Sequence, residues 1–356
     1  MMENRAKKQN TEENVPFISV TVTSYNYGKY IRRQLDSIAA QTFRDFEIVI
    51  SDDCSTDDSV AVIRDFMSDH PELKITFIEN KENKGLSENR NVVLDHAKGT
   101  YIMFCDSDDW LDPDCLMVLA DKAKETGADR VVSYVRDVNE KGEVLQVQTE
   151  YGTMPSKWMC GLHHGSIYKR SVFTEHKIRF NPAGAAEDFY LTAAFHSVCG
   201  EVAFVQRPTY NWFIHSDSTS GAKKEISPLT GINMLYKTLK AVRPIYMKLK
   251  WDKDRTEDLE LFLYQILKIY CVCIYHNYQR VPLRDTLRAY RKMQQIMERF
   301  EPAYRKNKYI NLKKKSPARK YAQIIVWGTM LLEKLHLMPL ALTGYHMVAK
   351  FHYFNI

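Results

Sequence analysis

Asp106, Asp108 and Asp109 crowd three carboxylates into four residues, directly after the apolar run Tyr101–Cys105. Such charges repel one another and cannot be buried bare, so they must face water, sit at helix N-termini or hold a divalent cation. The run before them reads as an interior strand of a parallel sheet, apolar on both faces. In an open α/β sheet, ligands bind just beyond the carboxyl ends of the strands, where this cluster falls. A Mg²⁺ or Mn²⁺ seated there could neutralise a diphosphate. The plainer alternative is a helix cap, because Asp112-Pro113 has the pattern of an N-cap followed by Pro at the first helical position. A calcium loop of the EF-hand type is disfavoured: counted from Asp106, the sixth position is Leu111 instead of Gly and the twelfth is Met117 instead of Glu.

Two further acidic groups stand at element ends. Ser51-Asp-Asp-Cys-Ser-Thr-Asp-Asp58 follows the apolar strand Phe46–Ile50. Ala185-Ala-Glu-Asp-Phe-Tyr-Leu191 opens a helix whose first turn places Glu187 and Asp188 where the helix dipole favours anions, so capping is the alternative to chemistry there. Trp158–Ser166 is aromatic and His-rich, the composition of a loop facing an acceptor.

The elements that must position these groups alternate. Strands Phe17–Thr23, Phe46–Ile50, Ile75–Ile78 and Tyr101–Cys105 are separated by helices. One carries Ile31, Leu35, Ile38 and Ala39, a second Val60, Ile63, Phe66 and Met67, and a third runs from Ser87 to His96. A helix from Pro113 to Glu125 and strands at Arg130–Tyr134, Val144–Gln148, Val202–Val205 and Tyr210–His215 follow. This alternation predicts βαβ units and a mostly parallel, Rossmann-like sheet. No Gly-x-Gly-x-x-Gly follows the first strand, which argues against dinucleotide binding.

At 356 residues, 45% hydrophobic and 26% charged, the chain has room for one α/β domain and a smaller appendage. We divide it into a disordered polar tail at 1–15, the α/β domain at 16–222, and a helical, basic region at 223–356. Seven cysteines without a Cys-x-x-Cys pair predict free thiols in a reducing cytoplasm. No uncharged stretch reaches the roughly 20 apolar residues of a membrane span. Leu259, Leu263, Ile266, Leu267 and Tyr270 form a packing stripe. The cationic run Arg305–Lys320 precedes two aromatic-aliphatic pieces, Tyr321–Leu332 and Leu335–Ala349, a combination that fits an anionic membrane surface. No nucleic-acid motif accompanies the charge, so nucleic acid is not expected as a partner. The expected location is cytoplasmic, peripheral on the inner face of the cell membrane.

Ser19-Val-Thr-Val-Thr-Ser-Tyr-Asn26, Ser51-Asp-Asp-Cys-Ser-Thr-Asp57, Asn83-Lys-Gly-Leu-Ser-Glu-Asn-Arg-Asn91, Tyr101–Asp109 and Glu187-Asp188 stand in the order and spacing of family 2 glycosyltransferases. The chain resembles that family over residues 16–220, in particular bacterial enzymes that build cell-envelope polysaccharides. The resemblance implies the GT-A nucleotide-diphospho-sugar transferase fold with a C-terminal helical extension. It also implies inverting transfer of a hexosyl group from a nucleotide diphosphate donor, usually a UDP-sugar, to a hydroxyl on a glycan or lipid-linked acceptor. Thr23 and Tyr25 would hold and stack on the base, and Asp53 would accept from a uracil N–H. Arg90 would lie near the nucleotide, Asp109 would belong to the donor site by supporting the turn that carries Asp106 and Asp108, and Glu187 would lie in that site too. Asp106 would face the ribose and share a divalent Mn²⁺ or Mg²⁺ with Asp108 and His215, and Asp188 would be the general base. The loop from His215 to Ser220 would close over the diphosphate. Cys54 stands where the family commonly has Gly.

Two other classes compete. A non-catalytic glycan- or membrane-binding module would retain the fold, although it would be expected to lose an acidic motif. A nucleotidyltransferase would want a Gly- and Lys-rich phosphate loop, for which Ser24-Tyr-Asn-Tyr-Gly28 is a poor candidate.

Overall fold

The computed structural model describes residues 15–149, 157–159, 162–181, 187–216, 228–275, 281–313 and 320–353, with the side chains of 159, 228, 229 and 348–353 excepted. The expected polar tail lies outside these residues but for its last one. So do the lead-in to Glu187, most of the expected closing loop after His215, and Lys314, Lys315 and Arg319.

The first half repeats strand and helix: β1 (Ile18–Ser24), α1 (Gly28–Ala39), β2 (Phe46–Asp52), α2 (Ser59–Asp69), β3 (Ile75–Glu79), α3 (Leu86–His96) and β4 (Tyr101–Asp106). β1 and β2 are buried along their whole length, as strands covered by helices on both faces must be. Close approach fixes the entry of β4, because a Cβ on Gly99 would stand 2.5 Å from the Ser19 amide nitrogen. After β5 (Trp110–Leu111) and α4 (Cys115–Thr126) come β6 (Arg130–Asn139), β7 (Val144–Gln148), β8 (Ser166–Lys169), α5 (Arg170–His176), α6 (Glu187–His196) and β9 (Val202–Ile214).

The sheet runs β3-β2-β1-β4-β8-β6-β9-β5, with β7 paired to β6. β3, β2, β1 and β4 are parallel, as are β6 and β9, whereas β8 is antiparallel to both of its neighbours. The expected α/β sheet of GT-A type and the C-terminal helices are both present. Where two strands were expected at 202–215 there is one, β9, because pairing with β6 continues through register shifts around Tyr134 that absorb the irregularity near Pro208. The helix after Asp109 begins at Cys115, and Asp112 does not cap it. Its carboxylate instead accepts from Arg136 Nη1 at 2.8 Å and Asn211 Nδ2 at 2.9 Å.

The C-terminal region is helical: α7 (Pro228–Trp251), α8 (Thr256–Tyr275), α9 (Leu283–Phe300), α10 (Lys320–Lys334) and α11 (Met338–Tyr353). The stripe on α8 is core as expected: Leu263, Ile266, Leu267 and Tyr270 are buried among residues of the other helices. This core reaches α6 through Phe189, whose ring stacks on Phe262 at 5.8 Å. It also takes in Trp158, whose Nε1 donates to Asp258 Oδ1 at 2.7 Å while its carbonyl accepts from Gln265 Nε2 at 2.6 Å. Trp158 is therefore a buried strut between the sheet domain and α8, in place of the acceptor-facing residue expected.

Candidate active site

Parallel register brings the carboxyl ends of three strands together. Thr23 on β1 pairs with Asp106 on β4 and Ser51 on β2, and Ser24 pairs with Asp52. The exits of β1 and β2 are stapled to each other: the Asn26 amide donates to Ser55 Oγ at 2.8 Å, and Asn26 Oδ1 accepts from the Thr56 amide at 2.8 Å. Cys54, at the family's glycine position, has φ +65 and so adopts the left-handed backbone that glycine would favour.

A cleft of about 420 Å³ opens above these ends, lined among others by Thr23, Tyr25, Asp53, Arg90, Asp106, Asp108, His164, Glu187, Asp188 and Trp212. Tyr25 is 45% exposed at its rim. Asp53 is buried, and its carboxylate accepts from the amides of Lys84 at 2.9 Å and Gly85 at 2.8 Å and from Asn80 Nδ2 at 3.0 Å. It thus pins the loop between β3 and α3 across the cleft wall.

Arg90, buried on α3, joins Asp106 at the end of β4 to the two acids that open α6. Its guanidinium donates to Asp106 Oδ1 at 2.7 Å, Asp188 Oδ1 at 2.9 Å and Glu187 Oε1 at 3.4 Å. Burial works against its charge, but the three carboxylates outweigh that and hold it more firmly protonated than usual. Burial likewise pushes Asp188 and Asp106 toward the neutral form. The charges of His163 and Arg90 on Asp188, and on Asp106 the charge of Arg90 with hydrogen bonds from the two imidazoles, overcome it, leaving both carboxyls below their ordinary range. Glu187 goes the other way, raised by burial and by the charge of Asp188.

Asp108 and Asp109 part company. Asp109 is 1% exposed behind the cleft wall, where it accepts from Tyr210 Oη at 2.6 Å and the Phe213 amide at 2.9 Å, tying the β4–β5 turn to β9. Burial pushes its pKa well up. Asp108 lines the cleft, with Oδ2 3.0 Å from His215 Nε2. Burial and the neighbouring Asp106 raise its pKa, a tension that a bound divalent cation would relieve. Carboxylate oxygens suit Mg²⁺ or Mn²⁺, so Asp108, with the His215 imidazole beside it, could hold one. Asp106, His163 and His164 also bring potential ligand atoms within 4.8 Å of one another. That set fits less well, because Arg90 already occupies Asp106 Oδ1 and its positive charge repels a cation.

Sequence reasoning passed over His163 and His164 except as members of a His-rich stretch. Both are buried. His163 Nδ1 lies 2.8 Å from Asp188 Oδ1, and His164 Nε2 lies 3.1 Å from Asp106 Oδ2. Tyr210 and Trp212 were read only as strand residues. The adjacency of two histidines was the one signal available for the pair.

The model of a family described as glycosyl transferase family 2 matches residues 19–186. Glycosyltransferase GlyA of Streptococcus pneumoniae is 32% identical over 57% of this chain and 31% of its own length. The putative glycosyltransferase EpsH of Bacillus subtilis is 30% identical over 57% of this chain and 62% of its own. The chain therefore spans less than two thirds of the length of either relative. Among solved structures, residues 1–349 of Staphylococcus aureus TarS in complex with UDP-GlcNAc superpose with a TM-score of 0.59 at 20% identity, covering 83% of this chain and 93% of that one. At that identity the likeness is one of fold, and it extends past the sheet into the helical region.

Proposed function

With residues 19–186 matching the model of glycosyl transferase family 2, we propose that the protein moves a sugar from a nucleotide diphosphate donor, a UDP-sugar, to a hydroxyl of a cell-surface glycan, with inversion at the anomeric carbon. The observation that carries this reading is that Asp108 and Asp188 line one cleft. A donor bound between them meets a leaving-group side and an acceptor side. Inversion in one displacement needs both a base on the incoming hydroxyl and neutralisation of the departing charge.

In this reading Asp188, presented by the first turn of α6, takes the acceptor proton. The acceptor oxygen bonds to the anomeric carbon as the bond to the diphosphate oxygen breaks, and the electron pair leaves with UDP. Without donor, Asp188 is held by Arg90 and His163, which weakens it as a base. A diphosphate that draws the Arg90 guanidinium toward itself strengthens it. Thr23 and Tyr25 hold and stack the base, Asp53 uses its remaining lone pair on a uracil N–H, and Asp106 faces the ribose. Asp108 and His215, with Asp106 beside them, would hold Mn²⁺ or Mg²⁺, which when bound offsets negative charge on the diphosphate. The acceptor is a glycan or lipid-linked sugar presented at the inner face of the membrane.

The neighbour solved with UDP-GlcNAc makes that donor the first to try. Incubation with UDP-sugars and Mn²⁺ should release UDP. Release of pyrophosphate would assign a nucleotidyltransferase, and donor binding without UDP release a non-catalytic module.

A further inference from the structure

The helix α10 is amphipathic in the reverse sense for an element packed on a core. Its inward face includes Gln323, Thr329 and Glu333, none more than 4% exposed, alongside Val326 and Met330. Its outward face carries Tyr321, Ile324, Ile325 and Leu331, continued by Leu335, at 37–62% exposure. At 100° per residue these five fall within one arc about 120° wide, opposite the buried positions. Glu333 explains the inversion, since the inward face is held by polar contacts: its carboxylate accepts from Tyr270 Oη at 2.6 Å, Tyr304 Oη at 2.5 Å and Arg305 Nε at 2.9 Å. The apolar residues are left for solvent, and Leu337, Leu340 and Met347, before and on α11, are exposed as well. Large apolar residues gathered on one exposed helix face mark an interaction surface.

Charge identifies the partner. Residues 302–356 carry ten Lys or Arg and one acidic residue, the buried Glu333, whereas the first 301 residues are slightly net negative. Lys313, Lys320 and Lys334 are exposed near the ends of α10. We propose that α10 and α11 form a docking surface for an anionic lipid bilayer, with α10 lying in the membrane plane and its lysines on the headgroups. At 15 residues, α10 is about 22 Å long, short of a roughly 30 Å hydrocarbon core. No helix among the described residues is long and apolar enough to cross a membrane. A second copy of the chain is the competing occupant, but two such surfaces would meet with a cationic excess on both sides and no exposed acid in this segment to offset it. The inference rests on the transferase reading only in placing the acceptor at that surface.

The test is co-sedimentation of the full chain with phosphatidylcholine vesicles, with and without phosphatidylglycerol, in the absence of donor and acceptor. Binding should require the anionic lipid and fall with added salt. The pair Ile325→Asp and Leu335→Asp, at exposed positions, should lower the bound-to-free ratio about tenfold or more. The pair Lys320→Glu and Lys334→Glu should lower it by at least about tenfold. Thermal unfolding and UDP release onto a soluble acceptor should be unchanged, which separates a failure here from a failure of the transferase reading. Absence of sedimentation with either vesicle overturns the proposal, as does binding indifferent to both pairs. A dimer dispersed by the aspartate pair, in a chain that ignores vesicles, would assign the surface to self-association.

Discussion

The His163 imidazole stands between two acids, with Nδ1 2.8 Å from Asp188 Oδ1 and Nε2 3.8 Å from Asp106 Oδ1, and its side chain has no exposed surface. It hydrogen-bonds the proposed base on one side and faces Asp106, at the end of β4, across an electrostatic contact on the other.

Burial and the charge of Arg90 disfavour the imidazolium, yet the Asp188 and Asp106 carboxylates together outweigh them and the His163 pKa is raised. A folded-state pKa above the unfolded value of about 6.5 gives stability that is full below that value and is lost as pH rises through the folded one. His163→Gln should therefore lie further below the parent in urea midpoint at about pH 6 than at about pH 9. An equal gap at both would mean that His163 is neutral throughout.

Arg90 is buried among three acids, so truncating it strands their charges. Arg90→Ala should cost about 3–5 kcal/mol in denaturant unfolding. Arg90→Lys should recover only part of this, since an ammonium cannot reproduce the guanidinium fork. Parent-like stability in Arg90→Ala would show that Asp106, Asp188 and Glu187 are not held as a group.

Asp188→Asn keeps the shape of the side chain and removes its basicity. Turnover of UDP-sugar should fall roughly 10²–10⁴-fold with donor affinity little changed. Turnover equal to the parent's would remove Asp188 from the base role.

Cys54 holds a left-handed backbone with its side chain exposed. Cys54→Gly should be neutral or stabilising by up to about 1 kcal/mol, while Cys54→Val should destabilise by about 1–2 kcal/mol, since a β-branched residue is least tolerated there. Thermal unfolding of the two variants reads the difference, and equal midpoints would argue that the turn relaxes.

The first four strands and their helices were legible because each signal is local. A strand buried on both faces is apolar throughout, and a helix packed on it repeats its apolar residues every third or fourth position. Leu35 and Ile63 could be placed that way without coordinates. The acids of the cleft were legible for a related reason, since carboxylates clustered at strand ends have few other places to be.

Which atoms those acids meet was not legible. Chain periodicity carries no record of contacts between elements, so nothing local joined His163 to Asp188, Arg90 to Asp106 or Tyr210 to Asp109. The family resemblance set Asp109 apart from Asp108 as support for the turn, but only the arrival of β9 showed what it holds, Tyr210 Oη and the Phe213 amide. Residue types and spacing alone determined the α/β class, the parallel run of β3, β2, β1 and β4 and the acidic positions, because burial and repulsion act along the chain. Tertiary packing decided the Arg90 and His163 bridges, the burial of Trp158 and the outward apolar face of α10, because each depends on which distant surface closes over the residue.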